Sequence, residues 1–295
     1  MTRLSAQHKR DLAALLAQPA RLKDLKAALA LYMPKTPYRV MSSFMTAMKA
    51  DNLLHEMTLK AESGHSSVLY ASTPPELWSA PHVAQVLFPE GYFCNLTSLY
   101  YHKLSNQVPT NLYIATEPPR EKDQARRTGV TLSDQAIFRA FVQPHRTSNN
   151  IYRFGDSDIT HTERINRDQI GIVTIQDSRH ALPKGARVTC IERAIIDAVV
   201  QPHYNGGITA VIDALRLGLP RAKRDTIMDI YKKLSFVYPY WQSLGFLSER
   251  LGAPDLADAI RKDLTVKNKF YLDHLAKTSW AFDTKWQVFY PEGIL

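Results

Sequence analysis

Cysteine is nearly absent from this chain: Cys94 and Cys190 are the only two in 295 residues. That excludes a disulfide framework and a cysteine-based zinc site. No run of about 18 apolar residues occurs, so no membrane-spanning helix is expected. The opening MTRLSAQHKRDL has no apolar segment of the kind a signal peptide needs, and a cytoplasmic protein with reduced thiols is expected. The sequence also holds no GxSxG, no GxxxxGK(S/T) and no HExxH, so neither a cofactor nor catalysis is expected. His102, His145, His180 and His203 are scattered, without metal-ligand spacing.

Acidic residues are outnumbered, 28 Asp and Glu against 37 Lys and Arg, for a net charge of +9 and a pI near 9.4. With 45% hydrophobic and 22% charged residues the composition is that of an ordinary globular chain. The length suggests two domains. The basic excess is uneven. Residues 1–72 carry ten Lys and Arg against five acids, the electrostatic footprint expected of a nucleic-acid-binding unit.

Within that basic quarter, residues 36–50 (TPYRVMSSFMTAMKA) read as an amphipathic helix. Val40, Met41, Phe44, Met45, Ala47 and Met48 form its apolar side. Arg39, Ser42, Ser43, Thr46 and Lys49 recur at spacings of three and four on the other. Every residue on the polar face is a donor, the chemistry needed to lie against phosphates and base edges in a major groove. Thr36 is the expected N-cap, with Pro37 at the first helical position. Two helices precede it. In the first, Leu12, Leu15 and Leu16 share a side; the second opens near Pro19 and buries Leu22, Leu25, Ala28 and Leu29. Two strands follow around Glu62-Ser63-Gly64-His65. Three helices and a hairpin are the pattern of a winged helix-turn-helix. Mixed polar faces are also common on ordinary surface helices, and the charge supports the DNA reading without proving it.

The fold expected is α+β: a winged helix-turn-helix over 1–72, a Pro-rich connector at Ser72-Thr73-Pro74-Pro75, and a larger mixed α/β domain over 76–295. In that domain PHVAQVLFP and TSLYYHKL read as helices and NLYIAT as a strand. PPREKDQARRTG (118–129) reads as a charged loop and LSDQAIFRAFVQ as a helix. A β-rich middle precedes a mostly helical end and a packed aromatic tail. Asp156, Asp158, His161 and Glu163 cluster in a loop-strand segment, but without a nuclease-like second acid and lysine a polar solvent-facing strand is expected. Glu192, Arg193 and Asp197 read as a structural ion-pair anchor on a helix. Tyr204-Asn205-Gly206-Gly207 reads as a tight turn between helices.

The segments TSLYYHKLSNQVPTNLYIAT, LSDQAIFRAFVQPHRTSN, VTCIERAIIDAVVQPHYNGGITAVIDALR and YPYWQSLGFLSERLG resemble the AbiE-type (AbiEi) antitoxins of a bacterial type IV toxin–antitoxin, abortive-infection system. The resemblance covers about residues 94–251. Its most specific piece is Cys190 to Gly207, which departs from the commoner form in having Cys190-Ile191 before Glu192. The resemblance implies two jobs. An N-terminal winged helix represses its own operon through inverted repeats in promoter DNA. The C-terminal domain counters a nucleotidyltransferase-like toxin without a stable complex.

On that reading Thr36, Tyr38, Arg39, Ser42, Ser43 and Thr46 would face DNA, with Arg39 the candidate guanine contact. Lys49 and Lys60 would hold phosphates, and His65 at the wing tip would enter the minor groove. The competing readings are a one-component regulator whose large domain senses a small ligand, and a divergent nuclease using Asp158.

Overall fold

The computed structural model describes residues 4–119, 132–165, 167–177, 182–266, 268–274 and 279–295. The charged stretch at 118–129 lies almost wholly outside the described residues, as does His180. The described residues form eleven α-helices and three sheets, an α+β fold. The chain divides into two compact units. The first comprises Met1–Glu90, Thr110–Leu112 and Ser148–His161; the second comprises Gly91–Pro109, Tyr113–Thr147 and Thr162–Leu295.

In the first unit Ser5 and His8 form a capping box that starts α1 (Ala6–Leu15). A short strand β1 (Ala20–Arg21), α2 (Leu22–Tyr32) and α3 (Met41–Ala50) follow, then β2 (His55–Lys60) and β3 (Ser66–Ala71). The three strands make an antiparallel sheet in the order β1-β3-β2. Leu12, Leu16, Leu25, Leu29, Phe44, Met48 and Leu54 close a single core.

Helical spacing fixes that set, with two corrections. Leu15 is 47% exposed, because Leu12 and Leu16 already supply the inward stripe of α1. Leu22 is 38% exposed: Ala20 and Arg21 are drawn into the ladder opposite Tyr70 and Leu69, so α2 opens three residues beyond Pro19.

This unit does not end at the Pro-rich connector. The Ser72 N–H donates to Leu16 O at 2.7 Å, and the indole of the buried Trp78 donates to Thr73 O at 2.9 Å. The helix α4 (Ala80–Leu87) belongs here too. So does a hairpin from much later in the chain, β6 (Ile151–Phe154) and β7 (Ser157–Glu163) as far as His161, numbered in chain order. Its inclusion has a local cause. Ala61 bridges to Tyr152, and the Glu62 N–H donates to Ile151 O at 3.0 Å.

The second unit holds β4 (Tyr92–Phe93), α5 (Asn95–Tyr101), most of β5 (Asn111–Thr116), α6 (Asp134–Phe141), β8 (Ile172–Thr174) and β9 (Arg187–Thr189). Here β4 pairs antiparallel with β5 and parallel with β9, which pairs antiparallel with β8. Five helices follow: α7 (Ile191–Val200), α8 (Gly207–Gly218), α9 (Arg224–Leu234), α10 (Tyr240–Arg250) and α11 (Pro254–Asp263). The aromatic tail forms β10 (Phe270–Tyr271), β11 (Trp280–Asp283) and β12 (Val288–Pro291), in the order β10-β12-β11. Helix α7 is central: every residue from Arg193 to Val199 is buried. Gly206 and Gly207 both take φ near +85°, a conformation glycine adopts without strain, and this lets the turn after α7 run directly into α8.

Candidate nucleic-acid interface

The helix offered to DNA begins five residues later than its sequence pattern suggests. Thr36 is buried, its hydroxyl donating to Met33 O at 2.7 Å and accepting from the Tyr38 N–H at 3.3 Å. Those bonds make Thr36 the C-cap of the turn at Met33–Lys35, not the N-cap of α3, which starts at Met41 behind an extended Val40. Thr36 is therefore withdrawn from the candidate surface. Tyr38 stacks on Phe44 with ring centroids 5.4 Å apart, so its ring serves the core. Arg39 precedes the helix. Its Nη1 donates to Thr36 O at 2.8 Å and Tyr38 O at 3.0 Å, which orders the loop while the side chain stays exposed. Val40, expected on the apolar side, is 57% exposed.

The outer face of α3 is nonetheless continuous. Ser42, Ser43, Thr46, Lys49 and Ala50 are exposed, while Phe44 and Met48 are fully buried beneath them. The Ser42 and Ser43 hydroxyls meet no partner among the described residues. Thr46 Oγ1 donates back to Ser42 O at 2.9 Å, and Lys49 pairs with Glu56 on β2 at 2.7 Å. Both members of that pair are about half exposed, so the bond is weak and easily exchanged for a phosphate. Lys60, at the end of β2, is exposed and has no ion pair among the described residues.

The hairpin tip differs from a projecting wing. His65 is exposed, and its Nδ1 lies 3.1 Å from Ser63 Oγ, which donates to Asn150 Oδ1 at 3.2 Å. Asn150 Nδ2 in turn lies 2.8 Å from His161 Nδ1, and the buried His161 ring stacks on Phe88 at 4.0 Å. The tip is thus pinned within its own unit.

The strand of Asp158, His161 and Glu163 is not solvent-facing throughout, since Ile159, Thr160 and His161 are buried. Asp158 pairs with Arg153 at 3.2 Å and Glu163 is exposed. The three side chains do not converge on one point.

In the second unit the expected anchor on α7 is present and larger than its sequence indicates. Asp197 accepts from Arg193 Nε at 2.9 Å and from Arg164 Nη1 at 2.6 Å. Arg164 Nη2 also reaches Asn95 and Gln201, each at 3.1 Å. Burial pushes the Asp197 carboxyl up, but the two guanidiniums together hold it below the usual range. Glu192 takes no part in this cluster and accepts from the Lys223 N–H at 3.0 Å. Arg164 carries no sequence signal of its role, because its partner lies 33 residues away.

The scattered histidines also meet. His145 stacks between His203 and His274 at 4.1 and 3.9 Å, with Asp273 2.8 Å from His145 Nε2. Both His203 ring nitrogens are buried without a hydrogen-bond partner among the described residues. Desolvation, reinforced by charge on His145 and His274, lowers its pKa from 6.5 to about 4. A depressed histidine pKa means that the unfolded chain binds more protons. This contribution to stability is therefore lost as pH falls from about 6.5 towards 4. Urea unfolding of His203→Phe should show a shallower loss between pH 7 and pH 5; an unchanged slope would remove His203 as the source.

These features define an α+β protein of two compact units, with a donor-rich helical face on the smaller one. No protein-family model matches the chain, and no curated protein matches it. Among solved structures, the RV2827C protein from Mycobacterium tuberculosis matches with a TM-score of 0.59 at 11% identity, over 98% of this chain and 93% of that one. At that identity the likeness shows a shared fold alone.

Proposed function

We propose that the first unit is a winged-helix DNA-binding module and that α3 is its reading helix. The observation that carries this is the exposed row of Ser42, Ser43, Thr46 and Lys49 over a fully buried Phe44 and Met48. Such a helix is rigidly seated and presents hydroxyls and a lysine, with no acidic side chain among them. The order helix, strand, two helices and hairpin, with the three strands in one sheet, supports the same reading. So does the basic excess of residues 1–72.

Base contacts are assigned to Ser42, Ser43 and Thr46. Arg39 flanks them from the preceding loop, and Lys49 and Lys60 serve as phosphate contacts. With its tip ordered, the hairpin holds the edge of the interface through Lys60, and the exposed His65 at the tip is the proposed minor-groove contact.

The resemblance to AbiE-type antitoxins supplies the wider role: repression of the protein's own operon at inverted repeats, and opposition to a nucleotidyltransferase-like toxin by the larger unit. The role is one of binding rather than catalysis.

The test is fluorescence anisotropy with the DNA upstream of the protein's own gene, across a salt series. Ser43→Glu places a negative charge against the duplex and is expected to weaken binding at least about tenfold. Lys60→Ala should weaken all sequences alike and reduce the salt slope by about one. Growth rescue against the neighbouring toxin gene should survive Ser43→Glu, since the larger unit is untouched. Unaltered promoter affinity in Ser43→Glu would remove α3 as the reading helix.

A further inference from the structure

The second unit holds a half-open pocket of about 250 Å³ that the DNA-binding reading does not use. Its polar wall carries Arg164, Arg167 and Arg193 with Asp197 and Glu163. Its apolar wall is Val200, Leu234, Phe236 and Val237.

The buried charges do not balance. Arg164 and Arg193 share one carboxylate, Asp197, and their side chains are only 13% and 4% exposed. Arg167 answers the C-terminal end of α9, its Nε donating to Leu234 O at 2.7 Å. Glu163 is exposed, where water screens it. Among the described residues one guanidinium charge has no carboxylate of its own in this poorly hydrated surrounding, which is unfavourable until an anion meets it. Arginine suits that task, because its planar fork matches the paired oxygens of phosphate and carboxylate groups.

We propose that this cavity binds a small organic oxyanion, with its phosphate or carboxylate head against Arg164 and Arg193 and its apolar body against Phe236 and Val237. The volume lies just below the range of about 300–1,000 Å³ typical of drug-sized ligands, which limits the body to roughly one ring. The inference is independent of whether the first unit binds DNA.

Calorimetric titration of the full chain at constant ionic strength, in chloride, tests it with three probes: phenyl phosphate, benzoate and inorganic phosphate. One or both of the aromatic anions should bind at least about tenfold more tightly than inorganic phosphate, which has no apolar body to bury. The preference between phenyl phosphate and benzoate identifies the head group. Val237 is 56% exposed at the rim, so Val237→Glu should leave the unfolding midpoint unchanged. The same variant should weaken the aromatic anion at least about tenfold. Absence of binding at millimolar probe would overturn the assignment. So would equal binding of inorganic phosphate, or equal affinity in a folded Val237→Glu.

Discussion

Asp197→Ala is expected to destabilise the protein by about 3–5 kcal/mol, the usual cost of removing one partner from a buried ion cluster. Asp197 is the only carboxylate that both Arg164 and Arg193 reach among the described residues, and all three side chains are nearly or fully enclosed. Without it two guanidiniums remain desolvated, and α7 loses the bonds that fasten it to Arg164. Asp197→Asn keeps the shape but removes the charge, and a smaller loss is expected. Urea unfolding at neutral pH measures both. Replacing Arg164, Arg193 and Asp197 together by apolar residues of similar volume should restore much of the loss, because the cost lies in the unpaired charge. A loss below about 1 kcal/mol for Asp197→Ala would show that the arginines are compensated elsewhere. The depressed carboxyl pKa gives a second signature. The contribution of Asp197 is present above the ordinary carboxylate value, near 3.8, and is lost as pH falls through the folded value.

Trp286→Ala is expected to cost a similar amount, about 3–5 kcal/mol, for a different reason. The indole is fully buried, and it lies directly on Gly245 of α10. A Cβ at Gly245 would stand against Trp286 Cζ3 and Cη2, far inside van der Waals contact. Trp286 is also bonded on three sides: its N–H to Asp283 at 2.8 Å, its indole N–H to Glu249 at 2.6 Å, and its carbonyl to Gln242 at 2.7 Å. Truncation therefore leaves a cavity and removes the indole bond to Glu249, which keeps its pair with Lys285, while the two backbone bonds remain. The converse change, Gly245→Ala, should cost at least about 1–3 kcal/mol through overpacking. The two substitutions touch one contact, so their effects should not add. In the double variant the methyl group added on α10 has the vacated ring space to occupy, and a loss clearly smaller than the sum is expected. Full additivity would mean that the helix and the ring do not press on each other.

Much of the fold is legible in the residues. Leu12 and Leu16, Leu25 and Leu29, and Phe44 and Met48 sit at helical spacing and form the core of the first unit, as their periodicity requires. The hairpin around Gly64 and the turn at Gly206-Gly207 follow from local turn chemistry. Boundaries are less legible where a non-local bond competes with a local preference. Pro37 and Thr36 carry a helix-start signature, yet the Thr36 hydroxyl is taken by Met33, and Ala20 and Arg21 are taken by the ladder to β3. Composition alone places a unit boundary at Ser72-Thr73-Pro74-Pro75. It cannot show that Ala61 bridges to Tyr152, some ninety residues on.

The same division holds for function. The sequence by itself determined the hydroxyl- and lysine-bearing face on α3, the basic excess around it and the apolar stripe beneath, since all three depend on residues close in the chain. Only the tertiary structure decided that Thr36 and Tyr38 turn inward and that the hairpin tip is tied to Asn150. It alone brought Arg164 to Asp197 and gathered His145, His203 and His274 into one stack. The physical reason is range. Helix periodicity and charge density are carried by neighbours along the chain, whereas burial, ion pairing and enclosed charge depend on which distant segments fold against each other.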